Sequence, residues 1–229
     1  MKPEEILSAI KKSRELAVAK PRKFKQTFDL AVTLQELDMK KPESKVKLEV
    51  HLPHGRGKPI RYGAIADGEL AEKAKKAGLT VVIGKADLQT LSKDKKALRR
   101  VIKQVDIFIA QPDLMVEVGK TLGATLGPRD KMPKPVNPKE DLKVVFARFD
   151  KMMTARVKDQ PIIHCPVGTE QMTDQQVLEN AEKILTALKE KLPKGESQIK
   201  TVFLKLTMGP AVRIGAEEAA QKAAAEVKA

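Results

Sequence analysis

Residues Thr27–Leu34 read TFDLAVTL, an alternation in which every second side chain is a large apolar one. Residues Lys45–Leu52 repeat the pattern as KVKLEVHL. Successive side chains of a strand point to opposite faces, so a period of two predicts strands of an antiparallel sheet with one face in water. We therefore expect these two strands to form an antiparallel pair.

The pattern changes after Pro59, where the strands become continuous apolar runs separated by helical segments. Continuous runs are typical of strands buried on both faces, and strand–helix–strand order is typical of a parallel α/β layer. The runs are Tyr62–Ala66, Leu79–Ile83 and Val105–Ala110, and the helices are Gly68–Ala77, Lys93–Lys103 and Asp113–Lys120, with a later one over Lys139–Lys151.

Half-exposed strands return after about Thr154, at Pro161–Val167 and Gln198–Thr207. The helix between them, Asp174–Lys191, begins with a capping-box pattern in which Thr173 is the N-cap and Gln176 is three residues on. A further amphipathic helix is predicted over Pro3–Ala19. Segments with alternating apolar residues thus flank the segment with continuous apolar runs on both sides.

These patterns predict a discontinuous α+β domain, an antiparallel sheet with helices, that carries an inserted Rossmann-like α/β domain of three layers. We assign residues 1–57 and 154–215 to the first domain and residues 58–153 to the second. The connections between them are expected near Gly55–Pro59 and Met152–Thr154. Residues 216–229 are rich in Ala, Glu and Lys and are expected to form a flexible tail.

Charge is the strongest signal in the composition. The 229 residues carry 44 Lys and Arg against 30 Asp and Glu, a formal net charge of +14. The excess is spread through the chain, and a field of this sign favours polyanionic partners. The bland alternative is a solvated, lysine-rich surface.

Several other classes find no support in the sequence. There is no apolar run long enough for a membrane span and no secretory signal, so we expect a cytoplasmic protein without a membrane partner. Cys165 is the single cysteine, which excludes an intramolecular disulfide and a cysteine-based zinc site. Cys165 follows His164 directly, and neighbouring strand residues diverge, so this pair is not expected to act as nucleophile and base.

A nucleotide-binding site also has little support in the sequence. The tripeptide Gly119-Lys120-Thr121 resembles the end of a phosphate-binding P-loop, but Leu114 stands where that motif needs glycine. We expect no enzyme activity, no organic cofactor and no bound metal.

Two segments suggest RNA binding by shape and backbone contacts. Only 3% of the residues are aromatic, which disfavours a sheet that stacks successive bases. The first segment, Arg22–Lys25, surrounds Phe24 with basic side chains. The second, Lys205–Pro210, places a hydroxyl, a thioether and a glycine where a strand must turn. The alternative for the second segment is a plain strand end with Met208 in the core.

At the second segment the chain resembles a known family. The run Thr207–Ile214, TMGPAVRI, resembles the C-terminal signature of the large-subunit ribosomal stalk protein family L-one, in its archaeal branch. Three more stretches resemble that family in the same order: Leu52–Lys58 (LPHGRGK), Gly127–Pro135 (GPRDKMPKP) and Ile163–Gly168 (IHCPVG).

The resemblance implies a ribosome-bound protein in the cytoplasm whose discontinuous domain binds large-subunit ribosomal RNA. It also implies a mobile stalk at the tRNA exit site that helps release deacylated tRNA, and repression of translation by binding to its own messenger RNA. The free protein is expected to be a monomer.

Site residues follow from the same resemblance. The expected RNA contacts are Phe24, Thr207, Met208 and Gly209, with Lys23, Lys25 and Lys205 as phosphate or sugar neighbours and with Gly168 and Thr169 nearby. Arg129 and Lys131 are expected to contact tRNA or stalk RNA. Two alternatives stay open: nonspecific binding of nucleic acids through net charge, and a nucleotide-binding α/β domain.

Overall fold

The structure is a computed structural model that describes residues 2–18, 22–36, 46–157 and 160–215. The contacts divide the chain into two compact units, Met1–Lys58 with Lys151–Ala229 and Pro59–Asp150. The elements are α1 (Pro3–Val18), β1 (Thr27–Leu34), β2 (Lys47–His51), β3 (Tyr62–Ile65), α2 (Glu69–Lys76), β4 (Val81–Ile83), α3 (Lys85–Lys93), α4 (Lys95–Gln104), β5 (Ile107–Ala110), α5 (Met115–Thr121), α6 (Gly123–Leu126), β6 (Lys134–Pro135), α7 (Leu142–Asp150), β7 (Met152–Arg156), β8 (Ile162–Thr169), α8 (Asp174–Lys191), β9 (Ile199–Leu206) and β10 (Val212–Arg213).

The first unit is built on an antiparallel sheet with strand order β10-β9-β1-β8. The alternation of β1 places Phe28, Leu30 and Val32 entirely inside the core. Helices α1 and α8 contact each other, and they pack against β9 and β8 respectively. The mixed α and β character expected of this unit is confirmed.

The expected pairing of β1 with β2 is wrong. Strand β1 lies between β8 and β9, whereas β2 pairs with β7 in a separate two-stranded sheet. Alternation determines which face of a strand is buried but not which strand becomes its neighbour. Strand β7 begins at Met152, where the sequence pattern predicts a connection between the domains. The pattern does not reveal this strand because adjacent apolar residues there obscure the alternation.

The second unit holds the parallel sheet that the continuous apolar runs predict, with strand order β4-β3-β5-β6. Two features of this unit differ from the elements that the sequence predicts, and each has a local cause. Asp94 ends α3 and caps α4, since its Oδ1 accepts hydrogen bonds from the backbone N–H of Lys96 at 2.9 Å and of Ala97 at 3.1 Å. The short β6 lies in a proline-rich segment that sequence patterns mark as a loop.

Helix α8 begins as the sequence predicts. Thr173 Oγ1 accepts a hydrogen bond from Gln176 N at 3.3 Å, and Gln176 Oε1 accepts one from Thr173 N at 3.1 Å. Helix α1 is described as far as Val18, so Ala19 lies outside the described residues, as does the predicted tail 216–229. Among the residues that the structure describes, no helix is long and apolar enough to cross a membrane.

Candidate nucleic-acid interface

Three strand ends meet at one edge of the antiparallel sheet of the first unit. Because β1 is antiparallel to both neighbours, its start lies beside their ends: Thr27 is opposite Thr169 of β8, and Phe28 is opposite Leu206 of β9. The sheet therefore brings together the segments that lead into β1, out of β8 and out of β9. Most of the predicted RNA contacts lie on these three segments.

The turn after β9 is held to the start of β1 by hydrogen bonds. Thr207 Oγ1 accepts one from Thr27 N at 3.1 Å and lies 3.2 Å from Thr27 O, to which it donates. Met208 N donates to the side-chain Oε1 of the buried Gln26 at 3.2 Å. Sequence reasoning missed Gln26 and Thr27, although a polar pair at the entry to a buried strand was a visible signal.

Two large apolar side chains near this junction are in water. Phe24 is 50% exposed and Met208 is 56% exposed. Thr207, Lys23 and Lys25 are exposed as well. Large apolar side chains in water beside hydroxyls and cations are typical of a binding surface and not of a core.

Gly168 and Thr169 lie beneath this surface. Both are buried, with Thr169 at 3% exposure. A Cβ on Gly168 would come within 2.8 Å of Met172 Sδ, and one on Gly57 would come within 2.6 Å of Thr169 Oγ1. Gly168 and Thr169, which the sequence analysis predicts as RNA contacts, are therefore part of the packing under this surface.

Arg14 supports the turn that follows β8. Its guanidinium donates from Nε to Asp174 Oδ1 at 2.7 Å, from Nη1 to Glu170 O at 2.6 Å and from Nη2 to Met172 O at 2.5 Å. The same group lies 5.1 Å from the centre of the Phe28 ring. Local sequence patterns carry no signal for this role, because the acceptors lie more than 150 residues away.

Asn180 joins the first connection to β8. This fully buried side chain donates from Nδ2 to Gly55 O at 2.9 Å and to Val167 O at 2.8 Å, and its Oδ1 accepts from His54 N at 3.3 Å. The preceding residue on α8, Glu179, places Oε2 2.6 Å from Nε2 of the His54 ring. The hydrogen bond from His54 lowers the pKa of Glu179.

Lys205 lies directly opposite Asp29 of β1. Burial raises the pKa of the Asp29 carboxyl, and the positive charges of Lys205, Lys58 and His164 act in the opposite direction. Lys205 is half-buried. The positive charge of Lys205 therefore interacts with Asp29 within the sheet, whereas Lys23 and Lys25 are exposed to water.

His164 and Cys165 lie on opposite faces of β8, as the alternation of a strand predicts. Cys165 is buried, which raises the pKa of its thiol to about 12, and His164 points to the exposed side of β8. Gly119-Lys120-Thr121 forms the last turn of helix α5 and not a phosphate-binding loop. In the described ranges, no three His, Cys, Asp or Glu side chains are grouped so that they could hold a metal ion.

Arg129 and Lys131, in the second unit, differ from each other. Arg129 is exposed, but the ammonium of Lys131 turns inward and donates to Ile102 O at 2.7 Å and to Val105 O. Burial lowers the pKa of Lys131. Because its ammonium binds carbonyls at the C-terminal end of α4, Lys131 caps that helix, a role favoured by the helix dipole.

Replacing Lys131 by methionine should therefore weaken the second unit. We expect the free energy of unfolding to fall by about 1–2 kcal/mol, because two backbone carbonyls lose a charged donor. Urea denaturation followed by circular dichroism measures this, with the exposed Lys139→Met as control. An equal effect of both substitutions would contradict the capping role.

The chain is similar to known proteins over nearly its whole length. The profile of the Ribosomal protein L1p/L10e family matches residues 12–210. The large ribosomal subunit protein uL1 of Methanobrevibacter smithii is 47% identical over 211 residues, which cover 92% of this chain and 99% of that protein. The protein of the same name from Methanocaldococcus jannaschii is 46% identical, with 97% and 100% covered, and that of Pyrococcus horikoshii is 45% identical, with 92% and 95% covered. A match of this extent shows that the chain belongs to the Ribosomal protein L1p/L10e family.

Proposed function

We propose that this protein binds a folded element of large-subunit ribosomal RNA, in the cytoplasm, through the edge of its antiparallel sheet. The binding surface consists of Phe24, Thr207, Met208 and Gly209, with Lys23 and Lys25 beside it. The observation that carries the proposal is the exposure of Phe24 and Met208 next to strand ends that hydrogen bonds hold together. The family is one of structural ribosomal proteins, and the chain is not an enzyme.

Each group at the surface has a distinct physical task. Phe24 stacks on a base or ribose, and Met208 fills an irregular apolar gap with its flexible thioether. The Thr207 hydroxyl, already held by the backbone of Thr27, offers a polar contact to a 2′-OH or phosphate. Glycine at position 209 lets the RNA approach the backbone closely.

Thr27 adds a further polar group at the same place. Its Oγ1 is buried and has no hydrogen-bond partner within the described residues. A buried hydroxyl without a partner costs free energy unless a ligand or water satisfies it. Thr27 lies opposite Thr169 and beside the hydroxyl of Thr207, so it belongs to the polar packing directly beneath the proposed surface.

The finer architecture is part of the proposal. The antiparallel unit is taken as the RNA-binding domain, and the parallel unit as an inserted Rossmann-like domain of three layers. The division of contacts into two units supports this. We move the second connection from Met152–Thr154 to a position before Met152, because β7 pairs with β2.

On the ribosome, the protein would form the mobile stalk at the tRNA exit site and assist the release of deacylated tRNA. The exposed Arg129 is the candidate contact in the second unit. Free protein would bind a similar fold in its own messenger RNA and repress translation. That affinity should be weaker than the affinity for ribosomal RNA, so that repression begins only when ribosomal sites are filled.

Truncating either exposed apolar side chain should weaken binding to a stalk-region ribosomal RNA fragment. We expect Phe24→Ala and Met208→Ala each to raise the Kd about 5- to 30-fold, equivalent to about 1–2 kcal/mol, because each removes stacking or apolar contact. Filter binding at constant salt measures this.

Val144→Ala is the control, since Val144 is an exposed apolar residue of the second unit, with 68% of its surface in water. Its Kd should stay at the wild-type value. Unchanged binding by the Phe24 and Met208 variants would refute the placement of the site. Binding that ignores the fold of the RNA and collapses with salt would favour nonspecific attraction instead.

A further inference from the structure

Helix α4 carries a row of four cations on one face. Lys96, Arg99, Arg100 and Lys103 have the spacing i, i+3, i+4 and i+7, which places them on a single stripe of an α-helix. All four side chains are exposed. No residue between Lys95 and Gln104 is acidic. We call these four residues the α4 stripe.

The rest of the helix keeps the α4 stripe turned toward water. Leu98 and Ile102 on the opposite face are buried in the core of the second unit. The helix is also fixed at both ends, by the Asp94 cap at its start and by the Lys131 ammonium on the carbonyls of Ile102 and Val105. The backbone positions that carry the four cations are therefore fixed in a row.

This arrangement works against the stability of the isolated helix. Like charges three or four residues apart repel, at a cost of about 0.2–0.5 kcal/mol per pair. Helix α2 avoids the problem, because Lys73 pairs with Glu69 at 2.8 Å. Within the described residues no ion pair relieves the α4 stripe. A partner that supplies negative charge would turn this repulsion into binding free energy.

The shape of the α4 stripe indicates the chemistry of that partner. Seven residues at a rise of 1.5 Å span about 10 Å, so the cations form a short straight line that suits a regular row of anions. Two of the four are arginines, whose planar guanidinium groups bind phosphate oxygens in a bidentate manner. The row contains no aromatic side chain, so it lacks the stacking platform that single-strand binders use.

We propose that the α4 stripe binds the sugar–phosphate backbone of duplex RNA without reading its sequence. This contact is separate from the surface around Phe24 and Met208, and it does not depend on the function proposed for that surface. It gives the second unit its own electrostatic attachment to structured RNA.

Protection of lysines in the full-length protein tests the location directly. The protein is acylated with an amine-reactive reagent, with and without a mixed-sequence RNA duplex of about 16 base pairs that lacks the ribosomal fold. Mass spectrometry then reports each lysine. We expect several-fold protection of Lys96 and Lys103 and little at Lys75 and Lys76, which are exposed on α2 of the same unit. Equal protection on both helices would overturn the proposal.

Charge-matched variants test the energetics. Replacing all four residues (K96Q, R99Q, R100Q and K103Q) should lower the slope of log K against log salt for the duplex by about 3, and should weaken binding more than tenfold at low salt. The control removes four exposed lysines elsewhere in the unit (K75Q, K76Q, K139Q and K143Q) and should leave most of the affinity. Equal losses would mean that net charge alone attracts RNA, which would refute the α4 stripe.

Two further measurements separate this inference from its rivals. The Phe24→Ala, Met208→Ala double variant should keep its affinity for the duplex, because the α4 stripe is intact in it. Loss of duplex binding by that variant would overturn the inference and leave one RNA surface. Polyglutamate at equal charge should protect Lys96 and Lys103 less than the duplex does. Equal protection would instead favour an acidic protein as the partner.

Discussion

Replacing Asn180 by leucine is expected to lower the free energy of unfolding by about 3–5 kcal/mol, the largest effect predicted for this protein. The Asn180 amide is fully buried and serves three backbone groups, Gly55 O, Val167 O and His54 N. Leucine has a similar volume but leaves all three groups without a partner away from water. Each such group costs about 1–3 kcal/mol, and the three are not additive because they share one side chain.

Far-UV circular dichroism in urea measures the loss, since the chain contains no tryptophan. Gln175→Leu is the control, because it removes an amide from an exposed position of the same helix. Asn180→Asp keeps the acceptor but turns a carboxylate toward two carbonyls, so it should be nearly as damaging as leucine. Stability within 1 kcal/mol of the control would show that water satisfies the three backbone groups, contrary to our expectation.

Replacing Arg14 by alanine is expected to have the second largest effect, a loss of about 2–4 kcal/mol of unfolding free energy. Its guanidinium makes three hydrogen bonds to the segment Glu170–Asp174, two of them to backbone carbonyls, and it lies against the Phe28 ring. The affinity for ribosomal RNA should fall as well, because this segment continues from Gly168 and Thr169 under the proposed binding surface.

Two comparisons make this prediction specific to geometry. Arg14→Lys keeps the charge but cannot reach three acceptors in one plane, so most of the loss should remain. Lys11→Ala removes a cation from the exposed side of the same helix and should change neither stability nor binding by more than about 0.5 kcal/mol. A lysine variant as stable as the wild type would reduce the role of Arg14 to simple charge.

The candidate site was partly readable from the residues. Phe24 is marked by the basic side chains that surround it, and Met208 by its place between threonine and glycine at a strand end. The structure leaves both side chains half in water. The structure turns the charge of Lys131 inward onto α4 and buries Gly168 and Thr169. Charge and turn residues are visible in a sequence, but the direction of a side chain depends on what packs around it.

Local sequence patterns were sufficient to predict which face of β1 is buried, the parallel strands of the second unit and the capped start of α8. Each of these depends on neighbours within a few residues. The insertion of β1 between β8 and β9, the pairing of β2 with β7, and the roles of Arg14, Gln26 and Asn180 required the folded chain. Nearly all of these contacts join residues more than 100 positions apart, and burial of the apolar faces together with hydrogen bonding of buried polar groups selects them.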